Sequence, residues 1–262
     1  MANGNGGMMT FGEHLEVFRS MLLRIIAIIA VFGAVIFCCK DITFGILFAP
    51  NSSEFITYRI IEDVCRWLDI AVTFEPYSIQ MINTELSSQF MTHLSTSVYL
   101  ALLLASPFIL AEALRFITPA LYENERKYSA RITITIFALF ATGILMSYFV
   151  IFPFSIRFLG TYQVSSEVVN MINLSSYIST FTTLTFLMGI VFQIPVISFF
   201  LAKMGILQAE FMAKYRRHAL ILILIIAAVI TPPDLFTQIL VTMPMYALYE
   251  VSILIVKRIT NN

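Results

Sequence analysis

The chain has 262 residues, of which 59% are hydrophobic and only 12% are charged, and its 16 Lys and Arg balance its 16 Asp and Glu. Soluble domains average about 45–50% apolar and about 25% charged residues, so this composition excludes an ordinary soluble domain. Apolar content this high indicates an integral membrane protein.

Six hydrophobic segments are predicted to cross the membrane as α-helices, although a crossing normally takes about 20 residues and one segment is shorter. The predicted spans 1 to 6 cover residues 21–39, 90–116, 132–159, 177–202, 219–231 and 235–256. Span 5 corresponds to only about 20 Å of helix, which predicts local bilayer thinning or polar neighbours at its ends. The sequence therefore predicts an all-α membrane protein with a single integral membrane domain over residues 1–262.

The positive charges fall unevenly on the two sides of the membrane. If both termini lie on one side, that side holds most of the 16 Lys and Arg, and the other side holds only Lys40, Arg59, Arg66 and Arg157. Cytoplasmic loops carry the excess of Lys and Arg. The sequence therefore predicts that both termini are cytoplasmic.

The first outer loop, residues 40–89, is too long for a plain connection. Within it, the segment YRIIEDVCRWLDI places apolar residues at helical spacing on one face, namely Ile60, Ile61, Val64, Trp67 and Leu68. We expect this long periplasmic loop to form short amphipathic helices that pack over the outer ends of the spans.

A charged stretch, RFITPALYENERKYSAR, separates spans 2 and 3 on the predicted cytoplasmic side. Its Lys and Arg are explained by their effect on orientation. Glu125 differs, because acidic residues contribute little to orientation. A carboxylate that is partly removed from water can bind a guanidinium group through two parallel hydrogen bonds. Glu125 is therefore a candidate binding residue.

Two further acids, Glu13 and Glu16, precede span 1 in a segment whose apolar residues recur at helical spacing. This segment is expected to lie along the cytoplasmic interface. The two carboxylates either solvate that helix and favour its N-terminal end, or bind the same ligand as Glu125.

Polar side chains inside the spans are costly and so indicate function. Gln193 in span 4 either hydrogen-bonds within the helix bundle or meets a substrate. Glu250 in span 6 either faces the bundle interior or reaches toward Lys257 or Arg258.

The turn between spans 5 and 6 reads ITPPDLFTQ. Its two prolines cannot continue a helix, and Asp234 is predicted to cap the next helix through the first-turn amides. Thr231 and Gln238 then flank this turn near the outer surface. No His or Cys stands at metal-ligand spacing and no Gly-rich phosphate loop is present, so we expect no metal and no cofactor.

Five motifs in chain order make the sequence similar to the TatC family, the multispanning core subunits of the twin-arginine protein translocase. They are HLEVFR before span 1, FITPALYENERK after span 2, SYFVIFPFSIRFL closing span 3, FQIP in span 4 and TPPD between spans 5 and 6. The resemblance covers the whole chain. It implies a multi-pass protein of the bacterial plasma (inner) membrane that recognises signal peptides with paired arginines. It also implies a part in the export of folded proteins driven by the proton-motive force.

The resemblance implies a signal-peptide-binding site. Glu125 and Phe116 match the family's positions around the loop after span 2, and the N-terminal motif contributes Glu13, Glu16 and Arg19. This chain departs from the family pattern at two positions. Val17 stands where the family has glutamate, with Glu16 one residue earlier, and Gln193 stands where the family often has glutamate.

The implied partners follow from the same resemblance. Single-span subunits of the TatA and TatB type are expected to dock at Thr231, Asp234 and Gln238. Twin-arginine signal peptides, membrane lipids and further copies of this chain complete the expected partners, and no nucleic acid is expected.

Two other classes of function compete with this interpretation. A proton-coupled secondary transporter would use Glu250, Asp234 or Gln193, but internal repeats and a charged cluster at the membrane midplane are absent from the sequence. An intramembrane enzyme would need a Ser–His pair or paired acids that face each other within the spans, and no nucleophile motif frames the serines near His93. We therefore expect a protein that is not an enzyme.

Overall fold

The structure is a computed structural model, which describes residues 11–70, 79–117, 129–165, 167 and 170–260, without the side chains of residues 11, 13, 14, 113–117 and 129–131. The chain divides into two compact units. One comprises residues 1–38 and 97–137, and the other comprises residues 39–96 and 138–262.

Helices dominate the described residues. In chain order they are α1 Phe11–Cys38, α2 Lys40–Phe48, α3 Ile56–Trp67, α4 Ser88–Ile117, α5 Ser129–Met146, α6 Phe152–Thr161, α7 Leu174–Val191, α8 Ile194–Lys203, α9 Ala209–Lys214, α10 Arg216–Ile230 and α11 Leu235–Thr260. Two strands that were not predicted, β1 Gln80–Ile82 and β2 Met171–Asn173, pair in parallel. They are too short to change the all-α class.

Five helical stretches in the described part of the chain are long and apolar enough to cross a membrane. They are Leu15–Cys38, Ser88–Glu112, Ile132–Thr161, Leu174–Lys203 and Leu235–Thr260. The predicted spans 1, 2, 3, 4 and 6 overlap these stretches, and the prediction of an all-α membrane protein is confirmed. The short span 5 corresponds to α10, which has 15 residues.

In the first unit, α1 and the part of α4 from residue 97 onward pack antiparallel. A Cβ on Gly33 would meet the Cβ of Ala101 at 3.7 Å, and the rings of Phe32 and Phe108 lie 6.0 Å apart. Residues earlier in α1 therefore meet residues later in α4. The beginning of α1 and the end of α4 consequently lie at the same end of this unit.

In the second unit, α5 and α7 approach each other closely through glycine. A Cβ added to Gly143 would lie 2.6 Å from the backbone oxygen of Met188, and one added to Gly189 would lie 2.7 Å from the ring of Phe140. Near this contact, the hydroxyls of Ser147 and Thr185 form a buried hydrogen bond of 3.2 Å. Small residues at a helix crossing permit such backbone approach within a membrane.

A π-helical turn, Ser147–Ile151, joins α5 to α6. Pro153 lacks a backbone N–H and so cannot bond the carbonyl of Phe149. The hydroxyl of Thr57 donates to that carbonyl instead, and the hydroxyl of Tyr58 donates to the carbonyl of Pro153 at 2.7 Å. The first turn of α3 is thereby fixed to this irregular part of the predicted span 3.

The short helices α2 and α3 confirm the prediction that the loop after span 1 is helical. The predicted packing face of α3 is wrong. Thr57 and Tyr58 are buried, whereas Ile60, Val64 and Trp67 are exposed. The face that carries Tyr58 packs on the protein in place of the aliphatic face, because the Tyr58 hydroxyl donates to a backbone carbonyl while its ring fills the contact.

Candidate functional site

The residues predicted to bind a signal peptide lie in and around the first unit. Glu125 lies outside the described residues, and so do the side chains of Glu13 and Phe116. Glu16 and Arg19 are exposed on α1. The binding role of all five stays a prediction, because only the side chains of Glu16 and Arg19 are among those that the structure describes.

The first unit contains an ion pair that the sequence reasoning missed. The Nε and Nη2 atoms of Arg24 lie 2.9 and 2.8 Å from one carboxylate oxygen of Glu112. The side chain of Glu112 is only 10% exposed, against 53% for Arg24. The Nη1 atom of Arg24 also donates to the hydroxyl of Ser20 at 3.0 Å.

This pair could have been sought from the sequence. Glu112 is an acid within the apolar stretch of span 2, and Arg24 is a cation within that of span 1. Ionised groups at such depth pair with one another. Their separation of 88 positions in sequence hides the connection, because helical spacing relates only neighbours in one helix.

The Arg24–Glu112 pair lies toward one end of the first unit. The ion pair holds α1 against α4 at a point about two turns beyond Glu16 along α1. Since the two helices are antiparallel, the beginning of α1 and the end of α4 lie at the same end. Glu16, which is exposed on α1, therefore lies toward this end of the unit.

In the second unit, the turn between α10 and α11 forms a small polar cluster. The Oδ1 atom of Asp234 accepts from the amide of Thr237 at 2.6 Å, so the predicted cap is confirmed. The hydroxyl of Thr231 donates to the carbonyl of Ala227, and the Gln238 amide donates to the carbonyl of Leu224 at 3.1 Å. Of these bonds, the one from Gln238 to Leu224 joins the two helices across the turn.

The other carboxylate oxygen of Asp234, Oδ2, is buried and has no hydrogen-bond partner among the residues that the structure describes. Around the turn, large apolar side chains are exposed on both helices, including Val229 on α10 and Leu235 and Ile239 on α11. An unpartnered acceptor next to an apolar surface is suited to a hydrophobic helix that carries a polar group.

Gln193 does not lie within a continuous helix, as the prediction for span 4 had it. It follows Phe192 in the two-residue break between α7 and α8, and its carbonyl accepts from the amides of Val196 and Ile197 at 3.0 Å each. Pro195, in the first turn of α8, has no N–H to continue the helical ladder, which accounts for the break. The side chain of Gln193 is half-buried.

Glu250 pairs with neither of the two predicted residues. Its two carboxylate oxygens receive the Nε and Nη2 atoms of Arg216 at 2.9 and 3.0 Å. Arg216 opens α10, and Glu250 lies about as far after the turn between the helices as Arg216 lies before it. In an antiparallel hairpin such residues face each other, which a prediction based on near neighbours in α11 overlooked.

The fold and these sites define a class, a multi-pass all-α membrane protein with paired charges inside its apolar segments. Comparison with known proteins gives the family. Residues 13–244 match the family described as Sec-independent protein translocase protein (TatC). The chain belongs to the TatC family.

Two curated relatives carry the same name. The protein of Blattabacterium sp. subsp. Periplaneta americana (strain BPLAN) is 35% identical over 251 residues, with 94% of each chain covered. That of Carboxydothermus hydrogenoformans is 33% identical, over 95% of this chain and 93% of the relative. A crystal structure described as the twin-arginine translocase receptor TatC superimposes with a TM-score of 0.73 and 26% identity, covering 95% of this chain and 100% of the other.

Proposed function

We propose that this protein is the receptor and core subunit of the twin-arginine translocation system in a bacterial plasma membrane, with both termini in the cytoplasm. It binds the paired arginines of signal peptides on folded cargo and nucleates the complex that exports this cargo with the proton-motive force. The observation that carries the proposal is the antiparallel packing of α1 and α4 at the Arg24–Glu112 pair. This packing places the beginning of α1, where Glu16 is exposed, and the end of α4 at the same end of the unit.

The chemistry of recognition follows from the geometry of the guanidinium group. Two adjacent arginines present two planar forks, and each fork fits a carboxylate through two parallel hydrogen bonds. Lysine presents a compact charge and cannot reproduce both bonds. Glu125 is proposed to receive one arginine, and Glu13 or Glu16 to receive the other, with Phe116 and Arg19 flanking them.

The test is a binding measurement with the full chain in lipid nanodiscs and a labelled signal peptide. Hydrogen bonds to charged groups contribute about 1.5–3 kcal/mol, so Glu125→Gln is expected to weaken binding about tenfold or more. Glu123→Gln, which removes a charge from the same stretch, is the matched control and leaves affinity unchanged. Unchanged binding by Glu125→Gln, or an equal loss in both variants, would contradict the assignment.

The same assay can be repeated with a peptide that has Lys-Lys in place of Arg-Arg. The wild-type protein should bind this peptide less tightly. The Glu125→Gln variant should discriminate less between the two peptides, because the carboxylate that reads one fork is gone.

We further propose that single-span subunits dock at the turn between α10 and α11, and that other copies of this chain join the complex. The buried Oδ2 atom of Asp234 and the exposed apolar residues around it support this step. A photo-crosslinker at Gln238 should capture a small single-span protein in native membranes, whereas one at Asp63 on α3 should not. Capture from both positions, or from neither, counts against the docking site.

A further inference from the structure

The helix α3 has three chemically different faces. At about 100° per residue, Thr57, Tyr58, Ile61 and Cys65 form one face, which is buried or half-buried. A second face carries the charged residues, Arg59, Glu62, Asp63 and Arg66. A third face is apolar and exposed, and we call it the α3 stripe: Ile56, Ile60, Val64 and Trp67.

The charged face is electrostatically satisfied without the stripe. Arg59 pairs with Glu54 at 2.8 Å and Arg66 pairs with Asp63 at 3.6 Å. The stripe itself contains only aliphatic side chains and the indole of Trp67. It is nevertheless strongly exposed, from 49% for Val64 to 82% for Trp67. Contact with water alone does not account for four exposed apolar side chains in one row.

The buried face fixes how deeply α3 lies relative to the membrane. Thr57 and Tyr58 bond to carbonyls at Phe149 and Pro153 within the apolar stretch Ile132–Thr161. This stretch has 30 residues, about 45 Å of helix, and so exceeds a hydrocarbon core of about 30 Å.

Arg157 marks where the hydrocarbon core ends. It is the charged residue within that stretch, and charged side chains are expelled from the core toward the interface. Its guanidinium carbon lies 5.1 Å from the ring centroid of Tyr58. The first turn of α3 is therefore held at the boundary between acyl chains and headgroups.

We propose that α3 is an interfacial helix whose stripe lies at the boundary between lipid headgroups and acyl chains, while its charged face meets water and its buried face packs on the protein. Lipids can cover the stripe, because its aliphatic side chains form no hydrogen bonds and so require no partner at a fixed position. The indole of Trp67 combines an apolar ring with an N–H donor, as interfacial anchors do.

The end of α3 supports this role for Trp67. Asp69 adopts a left-handed conformation with φ of 59°, and the amide of Ile70 bonds back to the carbonyl of Cys65 at 2.9 Å. This closure, together with the bond from the Asp69 amide to the Arg66 carbonyl at 3.2 Å, is a Schellman motif. It stops the helix directly after Trp67 and holds that residue on the ordered last turn.

The chain offers a direct test, because it contains 1 tryptophan. The full-length wild-type protein is reconstituted at high lipid-to-protein ratio into phosphatidylcholine vesicles, and Trp67 fluorescence is recorded. Interfacial helices enter the headgroup–acyl boundary by about 5–10 Å. We expect blue-shifted emission, weak quenching by aqueous acrylamide, and stronger quenching by lipids brominated near the headgroup than by lipids brominated near the chain end.

Two single-tryptophan variants built on Trp67→Phe provide the controls. Ile60→Trp lies on the stripe and should behave like Trp67. Arg66→Trp lies on the charged face and should be quenched several-fold more by acrylamide and hardly by brominated lipid. These comparisons separate the faces of one helix in the same protein.

Each alternative has a distinct signature. Emission typical of water with strong acrylamide quenching at position 67 overturns the proposal. Blue-shifted emission that resists both acrylamide and brominated lipid also overturns it, since the stripe would then be covered by protein. Neither outcome depends on whether the protein binds signal peptides.

Discussion

Glu112 shows how one residue determines the packing of the first unit. Its carboxylate is nearly buried and receives two N–H groups of Arg24. Removing one member of such a pair leaves a charge in a poorly hydrated place, whereas replacing both members with apolar residues is often tolerated. The pair is therefore needed mainly for the alignment of α1 with α4.

We expect Arg24→Leu to destabilise the protein by about 1–3 kcal/mol, because a charged acceptor loses its partner. The double variant Arg24→Leu with Glu112→Leu should recover most of this loss. Thermal unfolding in detergent gives both values in a double-mutant cycle. If the double variant is less stable than the single one, the loss in Arg24→Leu does not come from the unpaired carboxylate of Glu112.

Gly143 is the second residue whose identity is dictated by its surroundings. A Cβ at this position would lie 2.6 Å from the Met188 oxygen, which is backbone and cannot rotate away. Gly143→Ala is therefore expected to cost about 1–3 kcal/mol, as overpacked sites do. Gly45 in α2 has no atom within 4 Å of such a Cβ, so Gly45→Ala should instead stabilise its helix by up to about 1 kcal/mol. Equal effects on unfolding temperature would refute the steric explanation.

At the scale of elements, α3 and α8 end in the same way with different residues. Both close with a Schellman motif: Ile70 bonds to Cys65, and Ile206 bonds to Leu201 at 3.0 Å. The left-handed position is Asp69 after α3 and Gly205, with φ of 74°, after α8. Only glycine takes this conformation without a steric cost.

The two helix ends therefore predict opposite responses. Asp69→Gly should raise stability by a few tenths to about 1 kcal/mol, since it relieves the left-handed strain. Gly205→Ala should lower stability by about 1 kcal/mol, because alanine is strained at positive φ. Thermal unfolding of both variants in one detergent checks the signs. A loss of stability in Asp69→Gly would show that the aspartate side chain contributes more than its backbone strain costs.

The sequence predicted the long apolar helices because hydrophobicity over about 20 residues is a property of local composition. It also predicted the Asp234 cap, since a cap involves residues three positions apart. It did not predict the π-helical turn before Pro153, which depends on Thr57 arriving from another helix. The packing face of α3 was mistaken for a similar reason, because apolar periodicity alone cannot distinguish lipid from protein as the partner.

In the candidate sites too, contacts between distant residues were missed, whereas features of the local sequence were predicted. The partner of Glu250 was sought in its own helix, but Arg216 reaches it through the hairpin of α10 and α11. Glu112 and Arg24 are related only by tertiary structure. By contrast, the importance of Glu125 was read from motifs in order along the chain, and its binding role stays a prediction for direct measurement.

For the whole molecule, the hairpin of α10 and α11 combines helices of very different length. α10 has 15 residues and α11 has 26, or about 22 and 39 Å. The bidentate Arg216–Glu250 pair closes one end of the hairpin, and paired charges favour the interfacial region over the core. If that end is held at one surface, the polar turn at Thr231 and Asp234 stands only about 22 Å away.

If the hydrocarbon core is about 30 Å thick, the two polar ends of this hairpin cannot both reach polar surroundings. The bilayer must therefore thin locally, or the turn must lie inside the core. We therefore expect thermal stability in nanodiscs to be highest with short-chain phosphatidylcholines and to fall as the acyl chains lengthen. The double variant Arg216→Leu with Glu250→Leu lacks the paired charges, so its α10 can sink into the core and its dependence on chain length should be flatter. A wild-type stability that rises with bilayer thickness would mean that α10 does not set the hydrophobic match of this protein.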